Sequence, residues 1–167
     1  MNYFTENELA AGSIFIMLVG APASGKTTFA NNLAKEYSNT DYGFKIVSPD
    51  NIRRELGFLE YRREDNPKVF AIVYNKLTEL LDDGENVIYD ATNCNRKDRN
   101  KIMHVVEGFY NKSVCLVSET NFLTCCNRNT QRSEEYKVPQ DILERMYLSL
   151  MNNPPHIFEG YDVIGRF

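Results

Sequence analysis

Gly20-Ala21-Pro22-Ala23-Ser24-Gly25-Lys26-Thr27 fits the pattern G-x-x-x-x-G-K-[ST]. No other stretch of the chain limits the possible folds so sharply. The pattern works only between a buried strand and a helix. Its glycines let backbone N–H groups wrap a phosphate, and the helix presents its positive end to the same anion. Both neighbours are present. Ile14-Phe15-Ile16-Met17-Leu18-Val19 reads as a buried strand. Thr27 to about Tyr37 reads as a helix with Phe29, Ala30, Leu33, Ala34 and Tyr37 on a core-facing stripe. In such a loop Lys26 reaches the terminal phosphates and the Thr27 hydroxyl ligates Mg²⁺. We therefore expect Gly20 to Thr28 to hold a nucleotide phosphate chain.

The remaining chain alternates short β-branched runs with longer 3.6-residue periodicities, the pattern of a parallel sheet with helices on both faces. Strands are expected at Phe44–Ser48, Asn86–Asp90, Val114–Val117 and Tyr161–Ile164. Pro67 opens a helix that buries Val69, Phe70, Val73, Leu77, Leu80 and Leu81 and stops at Asp82-Asp83-Gly84. Asn95 caps another, Arg96–Phe109, with Ile102, Val105, Val106 and Phe109 inward. Asn121–Asn127 forms a short helix with Phe122, Leu123 and Cys126 inward, and Pro139 starts a last one on Ile142, Leu143, Met146, Tyr147 and Leu150. The expected fold is α/β: a parallel, five-stranded sheet flanked by helices, in one domain over 13–167. A short polar arm, 1–12, would precede it and drape on the sheet edge. At 167 residues the chain is long enough for one substantial core.

Charge and composition narrow the function. The net charge of −4 argues against a surface that coats duplex nucleic acid, but leaves room for a local basic patch at a strand end. No apolar run approaches the roughly 20 residues that span a bilayer, and Met1–Gly12 lacks the pattern of a secretory signal. Cys94, Cys115, Cys125 and Cys126 form no C-x-x-C, and there are two histidines, so zinc is not expected. Reduced thiols in a cytoplasmic protein are the simpler reading.

Ligands in open parallel sheets gather beyond the carboxyl ends of the strands. Asp50 follows the second strand, as a helix cap or as a catalytic acid. Arg53 lies one helical turn on and faces the same way, whereas Arg54 points elsewhere into solvent. Asp90 ends the third strand, where an acid holds Mg²⁺ directly or through water, bonds the attacking hydroxyl, or caps the next turn. Arg96, Lys97, Arg99 and Lys101 form the densest basic cluster, read as a solvated helix face in preference to a track for a nucleic-acid strand. The charged stretch Glu60–Asn66 reads as a solvated loop. The polar segment Asn127–Ser133 lies between two helices and suits a lid, spanning about 128–138, whose arginines close over ATP.

Four blocks in order give the chain a family resemblance: Gly20–Thr27; Ser48-Pro49-Asp50-Asn51-Ile52-Arg53; Val87-Ile88-Tyr89-Asp90-Ala91-Thr92-Asn93; and Arg128-Asn129 through Arg132 to Val138-Pro139-Gln140-Asp141-Ile142-Leu143-Glu144-Arg145-Met146-Tyr147. From about Ile14 to Met151 the chain resembles the kinase domain of P-loop polynucleotide 5′-kinases, with an adenylate-kinase-like fold plus lid. The resemblance implies ATP as donor, Mg²⁺, and a 5′-hydroxyl end of DNA or RNA as acceptor. It makes Asp50 the general base, gives Arg53 the acceptor's adjacent phosphate, and gives Arg132 the donor phosphates. Arg128 matches a second lid position, and Asp90 with Asn93 falls on the substrate side. Where the phage member of that family carries a second acid beside the base, this chain has Asn51, and Glu134 and Glu135 make the lid more acidic than the resemblance implies. Kinases of small molecules, nucleotide sugars or aminoacyl-tRNA share the same core, and a non-catalytic nucleotide-binding module is the alternative outside enzymes.

Overall fold

The structure, a computed structural model, describes residues 4–58 and 62–167. Met1–Tyr3 of the expected arm, and Glu60 and Tyr61 of the expected charged loop, lie outside the described residues. Five strands form one all-parallel sheet in the order β2-β3-β1-β4-β5. They are β1 (Ile14–Val19), β2 (Phe44–Val47), β3 (Asn86–Tyr89), β4 (Lys112–Val117) and β5 (Val163–Arg166). The helices are α1 (Glu6–Ala11), α2 (Lys26–Glu36), α3 (Pro49–Glu55), α4 (Asn66–Asp82), α5 (Arg96–Val106), α6 (Phe122–Thr130) and α7 (Gln140–Asn152).

The central strand β1 is apolar at every position and fully buried, because a parallel strand covered on both faces has no side for water. Its side chains alternate. Phe15, Met17 and Val19 join Val69, Val73, Leu77 and Leu81 of α4 and Ile102 and Val106 of α5. Ile14, Ile16 and Leu18 join Ala30 and Leu33 of α2 on the other face. Phe4 and Leu9 belong to that second cluster, so the expected arm is a helix packed into the core, not a polar strip along an edge. Thr5 and Glu8 close a capping box at its start.

Register brings the strand ends together. Met17 of β1 and Val47 of β2 both pair with Tyr89 of β3, so Ser48 and Asp90 leave the sheet at one level while β1 runs on beside β4 to Val19. After β3 the chain crosses β1 to reach β4, and this reversal opens the crevice in which such sheets bind ligands.

Several boundaries differ from the sequence reading. The helix after Asn95 ends at Val106, and Phe109 beyond it is exposed. In α6, Leu123 is exposed and Cys125 is the buried residue. The last strand begins two residues late, leaving Tyr161 buried as a plug whose hydroxyl meets the Met17 sulfur at 3.0 Å. Arg99 is not solvated. It is fully buried and bonded to both oxygens of Glu159 at 2.7 and 2.8 Å.

Candidate active site

The phosphate loop is held in place from three sides. Gly20 has no room for a side chain: a Cβ there would lie 2.5 Å from the Ser24 hydroxyl. Its N–H donates to the Thr92 carbonyl at 2.9 Å, so that amide is occupied and does not face a phosphate. The Ser24 carbonyl accepts from the hydroxyls of Ser118 and Thr120, at 3.0 and 2.9 Å, which hang from the end of β4. Gly25 sits at φ +97 and opens α2, a conformation that other residues adopt only under strain.

Lys26 folds back over the loop. Its Nζ donates to the Ala21 carbonyl at 2.8 Å and to the Ser24 hydroxyl at 3.3 Å. Burial pushes its pKa down, with the nearby Asp90 charge among the groups opposing that shift. Asp90 is itself buried, and burial pushes its pKa up, against a hydrogen bond from Thr27 and the charge of Lys26. The Thr27 hydroxyl donates to Asp90 Oδ2 at 2.7 Å. A hydroxyl and a carboxylate this close form a pair of hard oxygen donors of the kind Mg²⁺ takes. Among the described residues no group of three or more His, Cys, Asp or Glu side chains could hold a metal alone. The pair therefore fits a Mg²⁺ ion whose other ligands come from phosphate and water.

A cavity of about 540 Å³ opens over the loop. Ala23, Ser24, Gly25, Lys26, Thr27 and Thr28 line it, as do Arg128 and Arg132. Gly20, Ala21 and Pro22 are not among its lining residues; they form the loop's foot. Arg128 is not on a loop. It lies in the last turn of α6, with its Nη1 3.6 Å from where a Cβ on Gly25 would be. Arg132 follows that helix and donates to the Tyr136 carbonyl at 3.3 Å. The segment between is closed by Asn129, whose side chain donates to the Val138 carbonyl at 2.7 Å and accepts from the Val138 N–H at 3.1 Å. Asn32, Thr120 and the Phe29–Phe167 stack, at 4.2 Å, complete the cavity wall. Sequence reading missed Asn32, Thr120 and Phe167. Phe29 was visible only as a core residue.

Asp50 is the second residue of α3, in a position where it does not act as the cap. Its side chain is 87% exposed, and Arg53 Nη1 donates to it at 3.0 Å. Arg53 is only 12% exposed and also donates to Asn66 Oδ1 at 2.7 Å. Asn66, at the start of α4, is a site neighbour that the sequence did not disclose. Asp50 and Arg53 are not among the lining residues of the phosphate cavity, but the Asp50 charge acts on Asp90. Arg54 is exposed, 5.8 Å from the Tyr136 ring centre, so α3 already touches the segment after Arg132. Asn93 is committed elsewhere: its side chain donates to the Leu18 carbonyl at 2.7 Å and tethers the rim to β1.

A family profile described as an AAA domain (AAA_33) matches residues 15–151. The chain belongs to this family of P-loop kinase domains. The AAA_33 chain is 24% identical to the L-seryl-tRNA(Sec) kinase of Methanococcus maripaludis over 80% of its length and 51% of the relative's. It is 31% identical to the "Probable adenylyl-sulfate kinase" of Bacillus subtilis over 57% of its length and 49% of the relative's. It spans about half the length of these curated relatives. A chain in a structure of the Pnkp1/Rnl/Hen1 RNA repair complex superimposes with a TM-score of 0.71 and 23% identity, over 90% of this chain and 46% of that one. That likeness establishes the shared fold. No helix among the described residues is long and apolar enough to cross a membrane.

Proposed function

We propose that this AAA_33 domain transfers the γ-phosphoryl group of ATP to the 5′-hydroxyl end of a DNA or RNA strand. The Asp50–Arg53 pair carries the reading. It joins an exposed carboxylate able to accept a proton to a guanidinium able to grip the phosphate next to a terminal nucleoside. The superposition on a chain of an RNA repair complex supports the same acceptor.

In this reading backbone amides of the phosphate loop and the Lys26 ammonium bind the β- and γ-phosphates. Thr27 and Asp90 would hold Mg²⁺, which neutralises phosphate charge when bound. Asp50 takes the proton of the acceptor hydroxyl as its oxygen bonds to the γ-phosphorus. The bond from that phosphorus to the bridging oxygen breaks and leaves ADP. Arg128 and Arg132 offset the charge that builds on the transferred group. A second reading, favoured by the sequence relatives, keeps the same donor half but gives it an aminoacyl-tRNA or a small molecule as acceptor.

Incubation with γ-labelled ATP and a panel of acceptors separates the readings. The panel holds 5′-hydroxyl DNA and RNA oligonucleotides, nucleosides, seryl-tRNA and adenylyl sulfate. We expect label on the oligonucleotides; label on the other acceptors alone would overturn the polynucleotide reading.

A further inference from the structure

Arg99 has a buried charge and no direct place in the chemistry proposed above. Its five N–H donors are all used. Nε and Nη2 hold the two oxygens of Glu159 at 2.7 and 2.8 Å. Nη1 reaches the carbonyls of Asn93 and Cys94 at 3.2 and 3.4 Å, and Nη2 reaches that of Asn153 at 2.9 Å. A lysine has three donors on one atom and would leave part of this set unpaired.

Two of the three carbonyls it holds, those of Asn93 and Cys94, belong to the loop after β3, which carries Asp90 at its start; the third, of Asn153, ends α7. The loop after β3 meets the phosphate loop at Gly20 and the strand leading into it at Leu18. The Thr92 carbonyl accepts the Gly20 N–H at 2.9 Å, and Asn93 Nδ2 donates to the Leu18 carbonyl at 2.7 Å. Asn93 sits at φ +49, turned so that its side chain serves β1 while its carbonyl serves Arg99. Ser149 of α7 adds a bond to the Cys94 carbonyl at 3.3 Å. Glu159 is fixed in turn by the His156 N–H at 3.3 Å.

A buried ion pair is weak evidence of stability, because apolar side chains of similar volume often serve as well or better. A pair whose cation spends its remaining donors on loop carbonyls is better evidence of a required geometry. We propose that Arg99 is a positioning residue for the nucleotide site: it clamps the loop after β3 against the foot of the phosphate loop. The inference rests on the nucleotide-binding half of the proposed function and is independent of the acceptor.

The test pairs Arg99→Lys with the double variant Arg99→Met/Glu159→Leu, which removes both buried charges together. ADP with Mg²⁺ is titrated by calorimetry, the unfolding transition of each protein is recorded, and amide exchange is followed across Leu18–Ser24. We expect both variants to weaken ADP binding at least tenfold and to speed exchange at Gly20, with the double variant keeping a cooperative unfolding transition. Should the double variant not fold, Arg99→Lys, which keeps the charge, decides the matter. Unchanged affinity and exchange in a folded variant would reduce Arg99 to a core staple and overturn the proposal. Absence of ADP binding by the unaltered chain would overturn it together with the proposed function.

Discussion

Asp50 and Arg53 lie three residues apart, and α3 turns that spacing into a contact of 3.0 Å. The carboxylate stays exposed while Asn66 holds the guanidinium from behind. In the proposed reaction such an acid is oriented before any acceptor arrives. Asp50→Asn preserves shape and hydrogen-bonding reach but removes the basic oxygen. We expect it to keep ADP affinity and to lower kcat by about 10²–10⁴-fold, the usual worth of general-base assistance. Single-turnover transfer beside a binding titration checks both halves. Near-normal turnover would remove Asp50 from the mechanism. Both residues could be read from the sequence because the pairing is local. Asn66 could not, because its partner is 13 residues away across a turn. Arg99 was misread for the same reason: in isolation it is one of four basic residues on α5, and only Glu159, 60 residues on, makes it a core residue.

At the scale of elements, α6 and the segment after it were the least legible. Asn127, Arg128, Asn129 and Thr130 are polar and read locally as loop. They form the last turn of α6 because Asn121 caps its start and Asn129 bonds Val138, nine residues on. The strands and the stripe on α2 were legible, since a two-sided core leaves an uninterrupted apolar run and an i, i+3, i+4 pattern. Asn129 ties both ends of the segment that carries Arg132. Asn129→Ala leaves the Val138 N–H and carbonyl without those bonds, a cost of about 1–3 kcal/mol where such groups stay buried. Because the lost bonds restrain Arg132, we expect kcat/KM for ATP to fall about tenfold. Arg132→Ala alone and both changes together complete a cycle. Independent effects of the two substitutions would show that the clasp does not act through Arg132.

For the whole molecule, the sheet buries titratable groups that influence its pH range. Burial pushes the Cys115 thiol up to about 12 from an ordinary value of 9.0 and Cys94 up to about 11. Unfolding releases these thiols to ionise near pH 9. Their contribution is therefore fully present below pH 9 and is lost as pH rises through the folded values. Each fully retained proton gives a slope of about 1.4 kcal/mol per pH unit. The lowered pKa of Lys26 works in the opposite sense, since the unfolded chain keeps that proton longer. We expect Cys115→Ala to lower stability at pH 8 through its cavity yet flatten the decline between pH 9 and 11, as read from urea midpoints. Parallel curves for the two proteins would show that Cys115 does not set the alkaline limit.

The place of β1 at the centre of the sheet has a consequence for biosynthesis. The strand spans residues 14–19, yet its partners are residues 86–89 and 112–117. A ribosome adding about 5–20 residues per second leaves this fully apolar segment without either neighbour for several seconds. The nascent chain must shelter its stickiest strand before the residues that will shelter it exist. Slow codons or scarce chaperones between positions 20 and 117 would therefore lower the yield of soluble protein without altering a single amino acid.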